Sequence, residues 1–221
     1  MKAIIFGATG MVGQGVLREC LLDPDVESVL TIGRTPTGQK YEKLRELAHA
    51  NLLDFSVIEA ELSDYDACFF CLGITSAGTP EPEYERITYS IPVAAAETLV
   101  RLNPGMTFVY VSGRGADSFE KSRTMWARIK GKAENALMAM PFKATYVFRP
   151  AFIQPLHGIR SRTKIYNLLY TVFGPLVPLL KAIAPGSVTT TEQLGQAMIA
   201  VAKRGAPRRV VEGADISKIS R

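Results

Sequence analysis

This chain of 221 residues has only three cysteines, Cys20, Cys68 and Cys71, and they match no disulfide framework or metal-ligand spacing. Cys68 and Cys71 are spaced as CxxC, but within an expected strand. Residues three apart there face opposite ways, which excludes a redox or zinc pair and leaves buried, unreactive thiols in a reducing compartment. No metal site is expected. Basic residues exceed acidic ones for a net charge of +5, yet they are scattered. Only Lys203-Arg204 and Arg208-Arg209 are adjacent pairs without aromatic interleaving, so a nucleic-acid partner has little support. Glycines interrupt the apolar run after Lys2 at once and no cleavage site follows, so no signal peptide is expected and the expected location is cytoplasmic. Repeats, low-complexity segments and linkers are also missing, and a single domain spanning 1–221 is the simplest organisation.

What the chain does have is a glycine turn close to its start. Ala3-Ile4-Ile5-Phe6 leads directly into Gly7-Ala8-Thr9-Gly10-Met11-Val12-Gly13, and Val12, Val16 and Leu17 then fall at helical spacing. A strand ending in such a turn and opening a helix presents backbone N–H groups to a pyrophosphate. Gly7 permits the tight turn, Gly10 lets the phosphates approach, and Gly13 lets the helix pack on the strand. The spacing is Gly-x-x-Gly-x-x-Gly and not the common dinucleotide fingerprint Gly-x-Gly-x-x-Gly, because position 8 is Ala.

Apolar runs predict strands at 2–6, 28–32, 54–58, 67–72, 106–111, 143–148 and 208–212. Helices are expected at 11–22, 40–50, 81–102, 120–139 and 189–203. This alternation predicts an α/β protein with a doubly wound, mostly parallel sheet and a ligand at the carboxyl ends of its strands. Ile165–Pro185 departs from the rhythm by being almost wholly apolar. Gly174-Pro175, Pro178 and Lys181 interrupt it, which favours a substrate-side flap or a surface covered by a partner subunit over a membrane contact.

The second expected strand, Val29-Leu30-Thr31-Ile32, ends in Gly33-Arg34-Thr35. An NAD site places a carboxylate about 20 residues past the glycines to hold the ribose 2′-hydroxyl. Here that position offers Arg34, a planar cation suited to a 2′-phosphate, and Thr35, a hydroxyl donor. NADP(H) is therefore expected over NAD(H), the alternative for Arg34 being a solvated loop residue. Asp54, at the expected third strand, offers a carboxylate to the adenine amino group or is a plain loop residue.

Together with Cys71-Leu72-Gly73 and Phe148-Arg149-Pro150, these motifs in this order resemble the atypical short-chain dehydrogenase/reductase superfamily. Within it, the chain is similar to the small NADPH-binding oxidoreductases of the HTATIP2 type and their bacterial relatives. The similarity runs from residue 1 to about residue 215. It implies a nucleotide-binding Rossmann fold in which Thr9, Gly10, Met11 and Val12 line the pyrophosphate, while Arg34 and Thr35 take the 2′-phosphate. Leu72 and Gly73 would pack on the adenosine half, Ser112 would be the active-site serine, and Ile153 would lie near the nicotinamide carboxamide. Arg160 or Arg162 would reach the phosphates, and residues 151–221 would supply the substrate side.

The family's Tyr-x-x-x-Lys signature reads Trp126-Ala127-Arg128-Ile129-Lys130 in this chain. By the resemblance Lys130 binds the nicotinamide ribose, but an indole N–H cannot titrate as a phenol does. Tyr110 reads as core packing, and Tyr89 as a residue able to line the substrate side. Three functions follow. One is an NADP(H)-dependent oxidoreductase or epimerase acting on a small or apolar carbonyl compound, with Ser112 orienting the carbonyl. Another is a non-catalytic NADPH sensor or scaffold. The weakest is a membrane-surface or partner-docking protein using Ile165–Pro185. A homo-oligomer is compatible with all three.

Overall fold

The computed structural model describes residues 1–159 and 186–220. Its main sheet has seven parallel strands: β1 (Lys2–Phe6), β2 (Ser28–Gly33), β3 (Leu44–Ala48), β4 (Ala67–Phe70), β5 (Thr107–Val111), β6 (Ala144–Arg149) and β9 (Val210–Glu212). They lie in the order β3-β2-β1-β4-β5-β6-β9, so the chain reverses direction across the sheet after β3 and opens a crevice between β1 and β4. Two short strands, β7 (Phe152–Gln154) and β8 (Val188–Thr190), pair in parallel beside it. The expected α/β architecture is the observed one.

Alternation along the strands divides the core in two. Ala3, Ile5, Phe69 and Val109 face one side and pack with α1 (Met11–Leu22) and α5 (Thr191–Arg204). Ile4, Phe6, Phe70 and Phe108 face the other and pack with α3 (Ile91–Leu102) and α4 (Met125–Ala139). Cys68 belongs to the second layer, while Cys71 packs against the first, so the CxxC thiols are separated by the sheet. Burial raises the pKa of both.

Glycine lets α1 and α5 cross closely. A Cβ on Gly15 would lie 2.7 Å from Thr191 Cβ, and one on Gly195 would lie 2.7 Å from Glu19 Cγ. Thr190 fixes the start of α5: its hydroxyl accepts from Gln193 N, and the Gln193 side chain accepts from Thr190 N.

Three sequence expectations change. The helix expected at 40–50 is the edge strand β3. Leu44 and Leu47 have helical spacing, but residues three apart on a strand also face opposite sides, and these two pack against different core layers. The strand expected at 54–58 is a 3₁₀ turn, Ser56–Glu61, because the Asp54 carboxylate accepts from Ser56 N at 2.9 Å and turns the chain locally. Lastly, the helix expected at 81–102 is divided. A π turn, Arg86–Ser90, separates α2 (Glu81–Glu85) from α3. Pro92 has no N–H for the Thr88 carbonyl four residues earlier, which instead accepts from Tyr110 Oη at 3.0 Å.

The segment Ile165–Pro185, together with Arg160 and Arg162, lies outside the described residues. Among the described ones, no helix is long and apolar enough to cross a membrane.

Candidate functional site

The glycine turn at the end of β1 is shaped by close approaches. Gly7 has φ +79°, and a Cβ there would lie 2.6 Å from Leu72 N. A Cβ on Gly13 would lie 2.1 Å from Gly7 O, so only glycine lets α1 start this near the strand. Gly10 is the N-cap of α1, with no side chain capping it, and the first turn of the helix carries no acidic residue. The leading N–H groups of Met11, Val12 and Gly13 are thereby left to an outside acceptor, at the positive end of the helix. This is the cradle a pyrophosphate requires.

A cleft of about 470 Å³ opens from the turn. Gly7, Thr9, Gly10, Arg34, Leu72 and Gly73 line one part of it, and Thr79, Glu83 and Arg86 line another. A smaller pocket beside it is lined by Thr9, Arg34, Thr35 and Thr37 at the end of β2. The carboxylate on the neighbouring strand, Glu46, is occupied by that loop, accepting from Thr37 N at 2.6 Å and Gly38 N at 3.1 Å. Arg34 forms no ion pair among the described residues and is exposed.

Asp54 lines neither pocket and its carboxylate is engaged by Ser56, so the adenine role expected of it has no geometric basis. The expected position followed from placing the third strand at 54–58. With β3 ending at Ala48, the residues that follow it into the cleft are Ala50, Asn51, Leu52 and Leu53, none of which was singled out in the sequence, and neither was Arg86. Ile153 lies in β7, paired with Thr189, outside the cleft.

Ser112, Trp126 and Lys130 form a second group, at the carboxyl end of β5 and on α4. Helical spacing puts Trp126, Lys130 and Glu134 on one face of α4. Lys130 Nζ donates to the Val111 carbonyl at 3.2 Å and to Tyr110 Oη at 3.4 Å. Burial pushes its pKa down to about 8, with Glu134 opposing the change. Tyr110 is fully buried and its hydroxyl proton goes to Thr88 O, so it is tied into the core and its pKa is raised by burial. Tyr89 packs under Lys132, whose Nζ stands 4.2 Å from the ring centre.

Ser112 Oγ donates to Glu134 Oε1 at 2.5 Å, and Glu134 is also bound by Arg149. The Trp126 ring meets the loop after Ser112, where a Cβ on Gly115 would lie 3.3 Å from its Cη2. Asp117 orders the same loop by accepting from the backbone N–H groups of Phe119, Lys121 and Ser122, which also lowers its pKa.

Residues 2–112 match the family model described as semialdehyde dehydrogenase, NAD binding domain. The chain is 30% identical over 216 residues to Protein FMP52-2, mitochondrial, of Scheffersomyces stipitis, spanning 95% of this chain and 90% of that protein. The chain belongs to the FMP52 family. Another member, Protein FMP52, mitochondrial, of Debaryomyces hansenii, is 29% identical over 180 residues, 80% of this chain and 76% of its own length.

Solved structures share this FMP52-family fold. DesIV, a dTDP-glucose 4,6-dehydratase from Streptomyces venezuelae, superposes with a TM-score of 0.71 at 15% identity, over all of this chain and 80% of that one. A short-chain dehydrogenase family protein from Francisella tularensis gives 0.67 at 12% identity, covering 92% and 91%. The fold is therefore that of the short-chain dehydrogenase/reductase group, and the glycine turn lies in a pyridine-nucleotide-binding domain. The expectation of a cytoplasmic protein is overturned: the FMP52 relatives are named mitochondrial proteins.

Proposed function

We propose that this FMP52-family protein binds NADP(H) in preference to NAD(H) and is an oxidoreductase or epimerase acting on a small or apolar carbonyl compound. The observation that carries the cofactor choice is Arg34. It stands at the end of β2 on the cleft that begins at the phosphate cradle, and the nearest strand carboxylate, Glu46, is already consumed. The guanidinium, with Thr35 beside it, suits a dianionic 2′-phosphate. Gly7, Thr9, Gly10, Met11, Val12 and Gly13 would hold the pyrophosphate, Asn51, Leu52, Leu72 and Gly73 the adenosine, and Lys130 the nicotinamide ribose. When bound, the nucleotide would supply or accept hydride.

Trp126 takes the helical position of the usual tyrosine, four residues before Lys130 on the same face. Its packing against the Gly115 loop also supports a second reading, a nucleotide-binding sensor or scaffold whose chemistry has lapsed. Residues 151–221 would form the substrate side of a single domain. The location carried over from the relatives' names is mitochondrial.

Fluorescence titration with NADPH and NADH tests the cofactor choice. Arg34→Ala should weaken NADPH binding by about 10- to 100-fold, the loss of one or two charge-assisted contacts, and leave NADH unchanged. Equal affinities for the two nucleotides in the wild type, with no loss in the variant, sink the preference. Turnover of a carbonyl panel that rises in Trp126→Tyr identifies the lapsed enzyme. Robust wild-type turnover that the substitution leaves unchanged discards that reading.

A further inference from the structure

Glu134 is completely buried on α4. Arg149 reaches it from the end of β6, with Nε at 3.1 and 3.2 Å from its two oxygens and Nη2 on Oε2. Arg149 Nη2 also donates to Ser118 Oγ at 2.7 Å, which ties the pair to the loop after Ser112. A carboxylate buried this deeply stays charged only with a partner of this kind, and the planar guanidinium fork supplies one. Ser112 Oγ donates its proton to the same carboxylate. A serine hydroxyl has one proton and two lone pairs, so every other direction around Ser112 Oγ accepts.

We propose that Glu134, kept anionic by Arg149, is a positioning residue that makes Ser112 a hydrogen-bond acceptor. The group Ser112 holds is then a donor, the hydroxyl of an alcohol substrate, and not a carbonyl oxygen. Naming that donor as a substrate alcohol rests on the oxidoreductase reading above, with the carbonyl compound as the oxidised partner of that alcohol in the NADP(H) couple; the direction of the serine hydrogen bond does not. Glu134→Gln should invert this polarity. An amide that keeps its oxygen toward Arg149 must turn its NH₂ to Ser112, which frees the serine proton to point outward and makes Ser112 a donor.

Proton NMR of the nucleotide-free protein tests the hydrogen bond. A slowly exchanging, downfield hydroxyl resonance is expected in the wild type and should vanish in Ser112→Ala; its absence from the wild type overturns the assignment. Specificity is read from the fluorescence of Trp126, the only tryptophan in the chain and on the same helix face. Cyclohexanol is titrated with NADPH present and cyclohexanone with NADP⁺ present, pairings in which no turnover can occur.

The wild type should favour the alcohol by about tenfold, the worth of one hydrogen bond. Glu134→Gln should reverse that ratio, and Ser112→Ala should abolish it both alone and combined with Glu134→Gln. A wild type that binds the ketone equally well, or that responds to neither compound, overturns the proposal, as does a Glu134→Gln protein that folds but keeps the wild-type ratio. If Glu134→Gln fails to fold in a thermal melt, the Ser112→Ala comparison and the hydroxyl resonance still decide. Failure of the NADP(H) reading would appear separately, as absent NADPH binding with the hydroxyl resonance intact.

Discussion

Replacing Lys130 by methionine should make the protein more stable at neutral pH, because the lysine is held against its own solvation. Its chain is inserted between β5 and α4, and burial lowers its pKa from the ordinary 10.5 to about 8. That gap corresponds to about 3 kcal/mol of preference for the unfolded state as long as the ammonium is protonated. Met fills nearly the same volume without charge but gives up the bond to the Val111 carbonyl, a loss of about 1 kcal/mol. The net expectation for Lys130→Met at pH 7 is a gain of about 2 kcal/mol, roughly 4–8 °C in melting temperature for a chain of this size.

The gain should depend on pH in a defined way. Below pH 8 both folded and unfolded lysine are charged, and the wild type bears the full penalty. Between about 8 and 10.5 the folded lysine is neutral while the unfolded one still binds its proton, so the wild type recovers stability as pH rises. Above that window the penalty is gone, and the methionine variant should hold no advantage. Urea unfolding of both proteins at pH 7 and pH 11, compared as a difference, cancels the titrations they share. An advantage of equal size at both pH values, or a variant less stable at pH 7, would show that the buried ammonium does not destabilise the wild type. The same variant should lose NADPH affinity if the ammonium binds ribose.

Two further expectations concern the same end of the sheet. Arg149→Ala leaves the Glu134 carboxylate buried without its cation and should cost about 3–5 kcal/mol in chemical denaturation, most of it recovered when Glu134→Leu is added; a cost below 1 kcal/mol would show that the pair is dispensable. Gly131→Ala places a Cβ 1.7 Å from Asp117 O and must displace the loop after Ser112. It should lower stability by about 1–3 kcal/mol despite alanine's better helix propensity, and a melting temperature at or above the wild type's contradicts that packing.

Elements whose apolar residues have one interpretation were legible in the sequence. β1, β2, β5 and β6 are nearly continuous buried runs, and the glycine spacing 7-10-13 located the tight turn between β1 and α1. β3 was misread because Leu44 and Leu47 satisfy both a helical stripe and the two faces of an edge strand, and only its pairing with Val29–Gly33 decides between them. That error drew attention to Asp54, which lines neither pocket, and away from Asn51, which lines the cleft. The break at Arg86–Ser90 was available in Pro92, whose missing N–H frees the Thr88 carbonyl. Glu134 had a weak signal as well, a carboxylate four residues past Lys130 and eight past Trp126 on the same helix face. Its partner Arg149 is adjacent only because β6 lies beside β5, which no local pattern states.

The Gly15 and Gly195 crossing has a consequence for where this molecule can be cut. The match to the NAD-binding family model ends at residue 112, but the outer surface of its first helix is sealed by a helix that begins at Thr191. The stretch matched as an NAD-binding domain is thus not a stretch that can be excised by itself. A fragment ending after Ser112 would bare Val16, Leu17 and the glycine groove to water and seek other apolar surfaces. A transplanted version of this cofactor site has to bring the chain's last long helix with it.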